Sequence, residues 1–118
     1  MRIREEKRRL IRDRVDYWSL RLDICPRIIR VQSMTRKWGS CSTNGIVTFA
    51  VDLAEQERGF QDFVIAHELL HLRVPNHGKL FKALMTVHLP DWKKYSTDKQ
   101  RVSKTLNHLF TAPAGSSR

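Results

Sequence analysis

The sequence of 118 residues is poor in cysteine, with Cys25 and Cys41 only. Two cysteines are too few for the disulfide framework of a small secreted domain. No apolar run approaches the roughly 18 residues that a membrane-spanning helix requires, and residues 1–15 are too highly charged to supply the apolar part of a secretory signal. We therefore expect a cytoplasmic protein without membrane association, in which both thiols are reduced.

The sequence is also short and contains few glycines. The five glycines form no Gly-rich phosphate-binding loop, and a chain of this length holds one hydrophobic core without room for a second nucleotide-binding or lid domain. We predict a single domain over residues 1–110, followed by a disordered tail over residues 111–118.

Acidic residues are the minority, and their distribution is uneven. The chain has 22 Lys and Arg against 12 Asp and Glu, a formal net charge of +10. Residues 1–40 carry twelve basic and five acidic side chains, residues 41–70 carry one and five, and residues 71–118 carry nine and two. Basic ends of this kind attract polyanions through counterion release. Nucleic acid is therefore one predicted partner.

The first half of the chain predicts a helix followed by a small sheet. A single apolar stripe over residues 4–22 is typical of an amphipathic packing helix; its members are Ile11, Val15, Trp18 and Leu22. Pro26 ends this helix, and β-branched residues then predict strands over residues 27–34 and 45–51. Asn44-Gly45 is a strong turn signal. We expect the sheet to be mostly antiparallel.

The second half predicts helices. Helical periodicity begins at Phe60 and continues to Val74, where Pro75 interrupts it. Two further helices are predicted over residues 78–88 and 97–110. The predicted fold class is therefore α+β.

The segment FVIAHELLHL, residues 63–72, carries the chemistry. Seven apolar residues surround His67, Glu68 and His71, so the helix should be largely buried, and burying these polar groups without partners costs several kcal/mol. Residues four apart share one helix face, and two imidazoles so placed suit two corners of a tetrahedral zinc site. Core histidines bound to carbonyls are the alternative, but this spacing argues for a metal.

A catalytic zinc ion usually has three protein ligands and an open position. His77 follows His71 by six residues, which matches the spacing of the metzincins. Pro75 and Asn76 would turn the chain back toward the metal where metzincins use glycine. The other candidates for the third ligand are His88, Cys41 and a carboxylate of a following helix.

These residues predict a zinc-dependent hydrolase of the metallopeptidase type. Zinc (Zn²⁺) would activate a water molecule for attack on a peptide or amide carbonyl, with Glu68 as the general base. Candidates for the oxyanion partner are Tyr95, Arg73 and His88, and an exposed sheet edge would hold the peptide or protein substrate in an extended conformation. The alternatives are a basic module associated with nucleic acid, which carries the metal site, and a scaffold without turnover.

Five motifs together resemble the YgjP-like metal-dependent hydrolases, which are small zincin-type metallopeptidases related to the WLM and SprT-like groups. The motifs are R-K-W-G-S-C-S (36–42), G-I-V-T-F (45–49), F-V-I-A-H-E-L-L-H-L (63–72), N-H-G-K-L-F (76–81) and P-D-W (90–92).

The resemblance implies a minimal zincin fold, with an N-terminal helix, a small sheet, the metal-bearing helix and a following helix. It implies metal ligation by His67, His71 and His77 and general-base catalysis by Glu68. Analogy with SprT-like proteins also suggests a protease that acts on proteins bound to nucleic acid. Within the first motif, we expect a packing role for Trp38 and a bend or bulge at Gly39.

Overall fold

The computed structural model describes residues 2–96. Its elements are α1 (Arg2–Leu22), β1 (Ile28–Gln32), β2 (Gly39–Cys41), β3 (Ile46–Ala50), a 3₁₀ helix (Val51–Glu55), α2 (Arg58–His71), α3 (Lys79–His88) and α4 (Lys93–Ser96). The fold class is α+β, as predicted, and the arrangement is compatible with a minimal zincin fold. The predicted helix over residues 97–110 and the tail over residues 111–118 lie outside the described residues. Within residues 2–96, no helix combines the length and the apolar character needed to span a membrane.

Helix α1 is amphipathic, as its periodicity predicts. Ile11 and Val15 are completely buried, and Trp18 and Leu22 are nearly so. These side chains recur every three or four residues and therefore lie on the face that packs against the 3₁₀ helix and α2. The stripe fixes which side of α1 covers the core.

The sheet has the strand order β1-β3-β2 and is mixed. Strands β2 and β3 are antiparallel, and Gly45 adopts a φ of 88° in the turn between them. Strands β1 and β3 are parallel, so the predicted antiparallel pairing of these two segments is wrong. Residues 33–45 provide the dozen or so residues that a parallel connection needs, and the short strand β2 within them takes the antiparallel position beside β3.

Helix α2 is the central element and is buried along nearly its whole length. Asp62 binds it to α1, because its Oδ1 atom accepts hydrogen bonds from Arg14 Nη2 at 2.8 Å and from Trp18 Nε1 at 3.0 Å. Gln61 Nε2 donates to the carbonyls of Ala54 at 3.1 Å and Gln56 at 2.9 Å. The buried polar side chains of Asp62 and Gln61 thus hold α2 in place.

Candidate metal centre

His67 and His71 lie one turn apart on α2, and both are buried. Their ring centroids are 4.5 Å apart. The spacing of four residues places both imidazoles on one face of the helix, as predicted.

The chain reverses direction directly after α2. The helix ends at His71 rather than continuing to Val74, and the Val74 amide closes the last turn by donating to the Leu70 carbonyl at 2.7 Å. Beyond Pro75, the Gly78 amide donates to Asn76 Oδ1 at 2.9 Å, and α3 begins at the next residue. This short turn returns the chain to the face of α2 that carries the two histidines.

The turn brings His77 against the other two histidines. Its ring centroid lies 5.0 Å from that of His67 and 4.5 Å from that of His71. One ligand atom from each of the three residues lies within 4.8 Å of the others. The loop histidine and the two helix histidines therefore form one cluster.

The donor set suits a zinc ion. The Nε2 atoms of His67 and His77 are 3.0 Å apart. Two nitrogens bound to one tetrahedral zinc ion at about 2.0–2.1 Å lie about 3.3 Å from each other. Ring nitrogens this close are bridged either by a hydrogen atom, with one imidazole donating and the other accepting, or by a metal ion, since two facing lone pairs repel.

Hydrogen bonds at the opposite ring nitrogens orient the imidazoles. His71 Nδ1 lies 3.2 Å from the Val74 carbonyl oxygen, and His67 Nδ1 lies 3.3 Å from Glu68 Oε2. Both partners accept hydrogen bonds, which favours a proton on each Nδ1 and leaves each Nε2 lone pair available. Partners of this kind fix the tautomer in metal sites.

The electrostatics keep His71 neutral and Glu68 charged. Burial, reinforced by the neighbouring His67, lowers the pKa of His71 to about 3. Burial acts to raise the pKa of Glu68, but the hydrogen bond from His67 and the electrostatic interactions with His67, His71 and Lys37 outweigh it, so that this pKa is lowered. At neutral pH, His71 is uncharged and Glu68 is ionised.

Strand β2 approaches Glu68 closely. A Cβ atom added to Gly39 would lie 3.0 Å from Glu68 Cγ and 3.2 Å from Val64 Cγ1. Gly39 is therefore required for close contact between β2 and α2, a role that the sequence did not suggest. Glycine is the residue that permits such an approach, but the sequence contains no signal that names the partner.

Two aromatic residues also shape the centre. Trp38 packs as expected, with its ring edge-on to Phe60. Phe81 of α3 contacts all three imidazoles, with centroid distances between 4.7 and 5.3 Å. Phe81 is buried, and it gives the cluster an apolar wall that helix periodicity alone does not predict.

The other proposed ligands are not members of the cluster. His88 is the last residue of α3, and the thiol of Cys41 faces the Ser42 carbonyl at 3.6 Å. Among residues 2–96, the group with the composition of a metal site consists of His67, His71 and His77.

Two candidates for the oxyanion partner point elsewhere. The Tyr95 hydroxyl lies directly against Gly59, which precedes His67 by eight residues and therefore lies about 12 Å away along the helix axis. Arg73 donates to the Asp23 carbonyl beyond the end of α1. Neither side chain is directed at the cluster in this structure.

A sequence model described as a YgjP-like metallopeptidase domain matches residues 2–100. No curated protein matches the chain.

Proposed function

The chain belongs to the YgjP-like metallopeptidase domain family, and from this premise we propose that it is a zinc-dependent peptidase. In this proposal His67, His71 and His77 hold the metal ion, and Glu68 is the general base. The observation that carries the proposal is the convergence of three histidines from a helix and a following turn beside a partly buried carboxylate.

Each residue has a defined task. A bound zinc ion would supply Lewis acidity, which polarises a carbonyl group and lowers the pKa of a water molecule. Glu68, ionised at neutral pH, accepts the proton of the attacking water and then delivers it to the nitrogen of the leaving amine. Phe81 excludes bulk water from one side of the cluster and so strengthens the local electrostatic interactions.

The edge of β2 is suited to binding the substrate main chain. Among the described strands, β2 pairs only with β3, and Gly39 places it beside Glu68. An extended peptide that adds as a further strand would run past the general base.

The rival functions have less support in the structure. Arg8, on the basic N-terminal helix, is bonded to the Val31 carbonyl. Four exposed charges share the outer face of α1 and cancel one another; they are Arg9, Arg12, Asp13 and Asp16. The outer face of α1 that these four residues share is thus not a continuous basic surface of the kind that would favour nucleic acid as the main partner. A scaffold without turnover has no need of a carboxylate beside the histidine cluster.

A cytoplasmic location remains part of the proposal. Cys25 and Cys41 are both free thiols, which fits a reducing compartment. Fractionation of cells that express the tagged chain would test this, and recovery outside the cytoplasm would contradict it.

The proposed activity is tested on purified protein. Elemental analysis should find about one zinc ion per chain, and incubation with unfolded casein should generate new peptide N-termini that mass spectrometry identifies. A chelator should abolish both the bound metal and the cleavage. Stoichiometric zinc without any cleavage of peptides would refute the peptidase proposal while leaving the metal site intact.

A further inference from the structure

Two walls flank the cluster, and their charges are unusually one-sided. One wall is the segment 36–41, which ends in β2 and contacts α2 through Gly39. The other is the segment 72–82, which contains the turn and the start of α3. The segment 36–41 contains two Lys or Arg, the segment 72–82 contains three, and neither contains Asp or Glu; of the five, Arg73 is directed to the Asp23 carbonyl. Both walls are purely cationic.

Two acidic residues that precede the metal-binding motif form ion pairs with α1. Glu55 pairs with Lys7, and Asp62 pairs with Arg14. Both partners belong to α1. Glu68 is the only acidic residue within residues 63–90.

Lys37 is the wall cation whose position is best defined. The ladder of β2 and β3 extends to Trp38, whose carbonyl accepts a hydrogen bond from the Ala50 amide at 2.9 Å. Lys37 precedes Gly39 by two residues, and two residues span at most about 7 Å of chain, so the Lys37 backbone lies close to the point where Gly39 meets Glu68.

Lys37 is also exposed and available to a ligand. Among residues 2–96, no carboxylate forms an ion pair with it. Its positive charge nevertheless reaches Glu68, whose pKa it helps to lower. Lys37 thus lowers the pKa of Glu68 without forming an ion pair with it.

We propose that this site selects acidic peptides, and that Lys37 is a specificity-determining residue that binds a carboxylate side chain of the substrate close to the scissile bond. Lys79 and Lys82, both exposed on α3, add to the positive potential on the opposite wall. This inference rests on the proposed peptidase function, because the extended backbone along β2 is what places substrate side chains near Lys37. One-sided charge on the walls of a cleft concentrates ligands of the opposite sign.

Binding measurements test the inference separately from catalysis. The Glu68→Gln protein is titrated into three fluorescein-labelled decapeptides of alternating Ala with Glu, Gln or Lys, and fluorescence anisotropy is recorded. We expect the Glu peptide to bind at least about tenfold more tightly than the Gln peptide at low salt, and the Lys peptide to bind most weakly. The preference should shrink as ionic strength rises, since exposed charges are screened.

Lys37→Glu and Arg9→Glu, each added to the Glu68→Gln protein, are a matched pair. Both change the net charge by the same amount, and Arg9 lies on the exposed face of α1 outside both walls. Lys37→Glu should lower affinity for the Glu peptide by about tenfold or more and raise affinity for the Lys peptide. Arg9→Glu should change either affinity less than about twofold.

The outcomes separate the two proposals. Equal affinities for the three peptides, or equal effects of the two variants, would overturn the assignment of acidic peptides to this site, even if the wild-type protein cleaves casein. Preferential, Lys37-dependent binding of the Glu peptide would sustain it, even if no cleavage is found. Tighter Lys37-dependent binding of a single-stranded oligonucleotide than of the Glu peptide would replace peptides with nucleic acid as the ligand.

Discussion

Gly39 in β2 and Glu68 in α2 lie so close together that a methyl group at position 39 would lie 3.0 Å from the Glu68 Cγ atom. They are 29 residues apart in the sequence, yet the contact sets where the proposed general base can lie. Phe49 prevents such a methyl group from moving away from Glu68, because the methyl group would also lie 3.1 Å from the Phe49 Cδ1 atom.

Gly39→Ala should therefore impair turnover more than folding or metal binding. Overpacking of this kind costs about 1–3 kcal/mol in stability, and displacement of Glu68 should lower kcat by about tenfold or more. Peptidase kinetics, zinc content and urea unfolding would be measured together. Ser40→Ala, at the neighbouring position on the opposite face of β2, is the control. Unchanged kcat in Gly39→Ala would show that Glu68 does not depend on this contact.

Glu68→Gln should retain zinc and lose hydrolysis. The amide keeps the size of the side chain but cannot accept the proton of the attacking water, and a general base contributes about 100- to 10,000-fold to the rate. Elemental analysis and cleavage assays would follow the two properties, with Glu6→Gln on the exposed part of α1 as the control. Near wild-type turnover by Glu68→Gln would remove the assigned mechanism.

His77→Ala tests the proposed ligand that lies outside α2. Two histidines on one helix face would hold zinc weakly, and a catalytic site needs three ligands and an open position. We expect zinc affinity to fall by well over tenfold and activity to disappear, as measured by competition with a chromogenic chelator. His88→Ala, at the end of α3, should leave the zinc content intact. Full zinc affinity in His77→Ala would instead favour Cys41 or a carboxylate as the third ligand.

The metal-free protein should lose stability in acid. The folded state keeps His71 neutral, with a pKa of about 3 against 6.5 for the free imidazole. Because the unfolded chain binds the proton more readily, stability should fall as the pH drops from about 6.5 toward 3. The lowered pKa of Glu68 acts in the same direction below pH 4.5, since its contribution is present above that pH and lost with protonation.

Urea unfolding of chelator-treated protein between pH 7.5 and 4.5 would measure this loss. A His71→Asn variant should show a shallower decline between pH 6.5 and 4.5, because the group that must be protonated is absent. Parallel curves for the two proteins would contradict the buried, neutral state of His71.

The local parts of this protein could be predicted from the sequence. The stripe of Ile11, Val15, Trp18 and Leu22 predicted the buried face of α1, and the four-residue spacing predicted that His67 and His71 would share a face of α2. Both predictions depend on helix geometry within a few turns, which holds whatever the rest of the chain does. Five motifs in order also sufficed to predict the family.

Local sequence patterns did not predict which strands pair with each other. Two β-branched segments and an Asn-Gly turn suggested an antiparallel pair, but the turn joins β2 to β3, and β1 lies parallel to β3. Periodicity reports which residues face the core and does not report which strand lies beside which. The pairing is decided when the whole sheet packs against α1 and α2.

The sequence by itself determined the chemistry that the site can offer, because the residue types and their helical spacing define a metal-binding motif. Only the tertiary structure decided how the rest of the chain surrounds it: His77 and Phe81 against the helix histidines, Gly39 against Glu68, and Tyr95 against Gly59 instead of at the cluster. The physical reason is that these contacts join distant segments, and their geometry depends on the simultaneous packing of all the elements in one core.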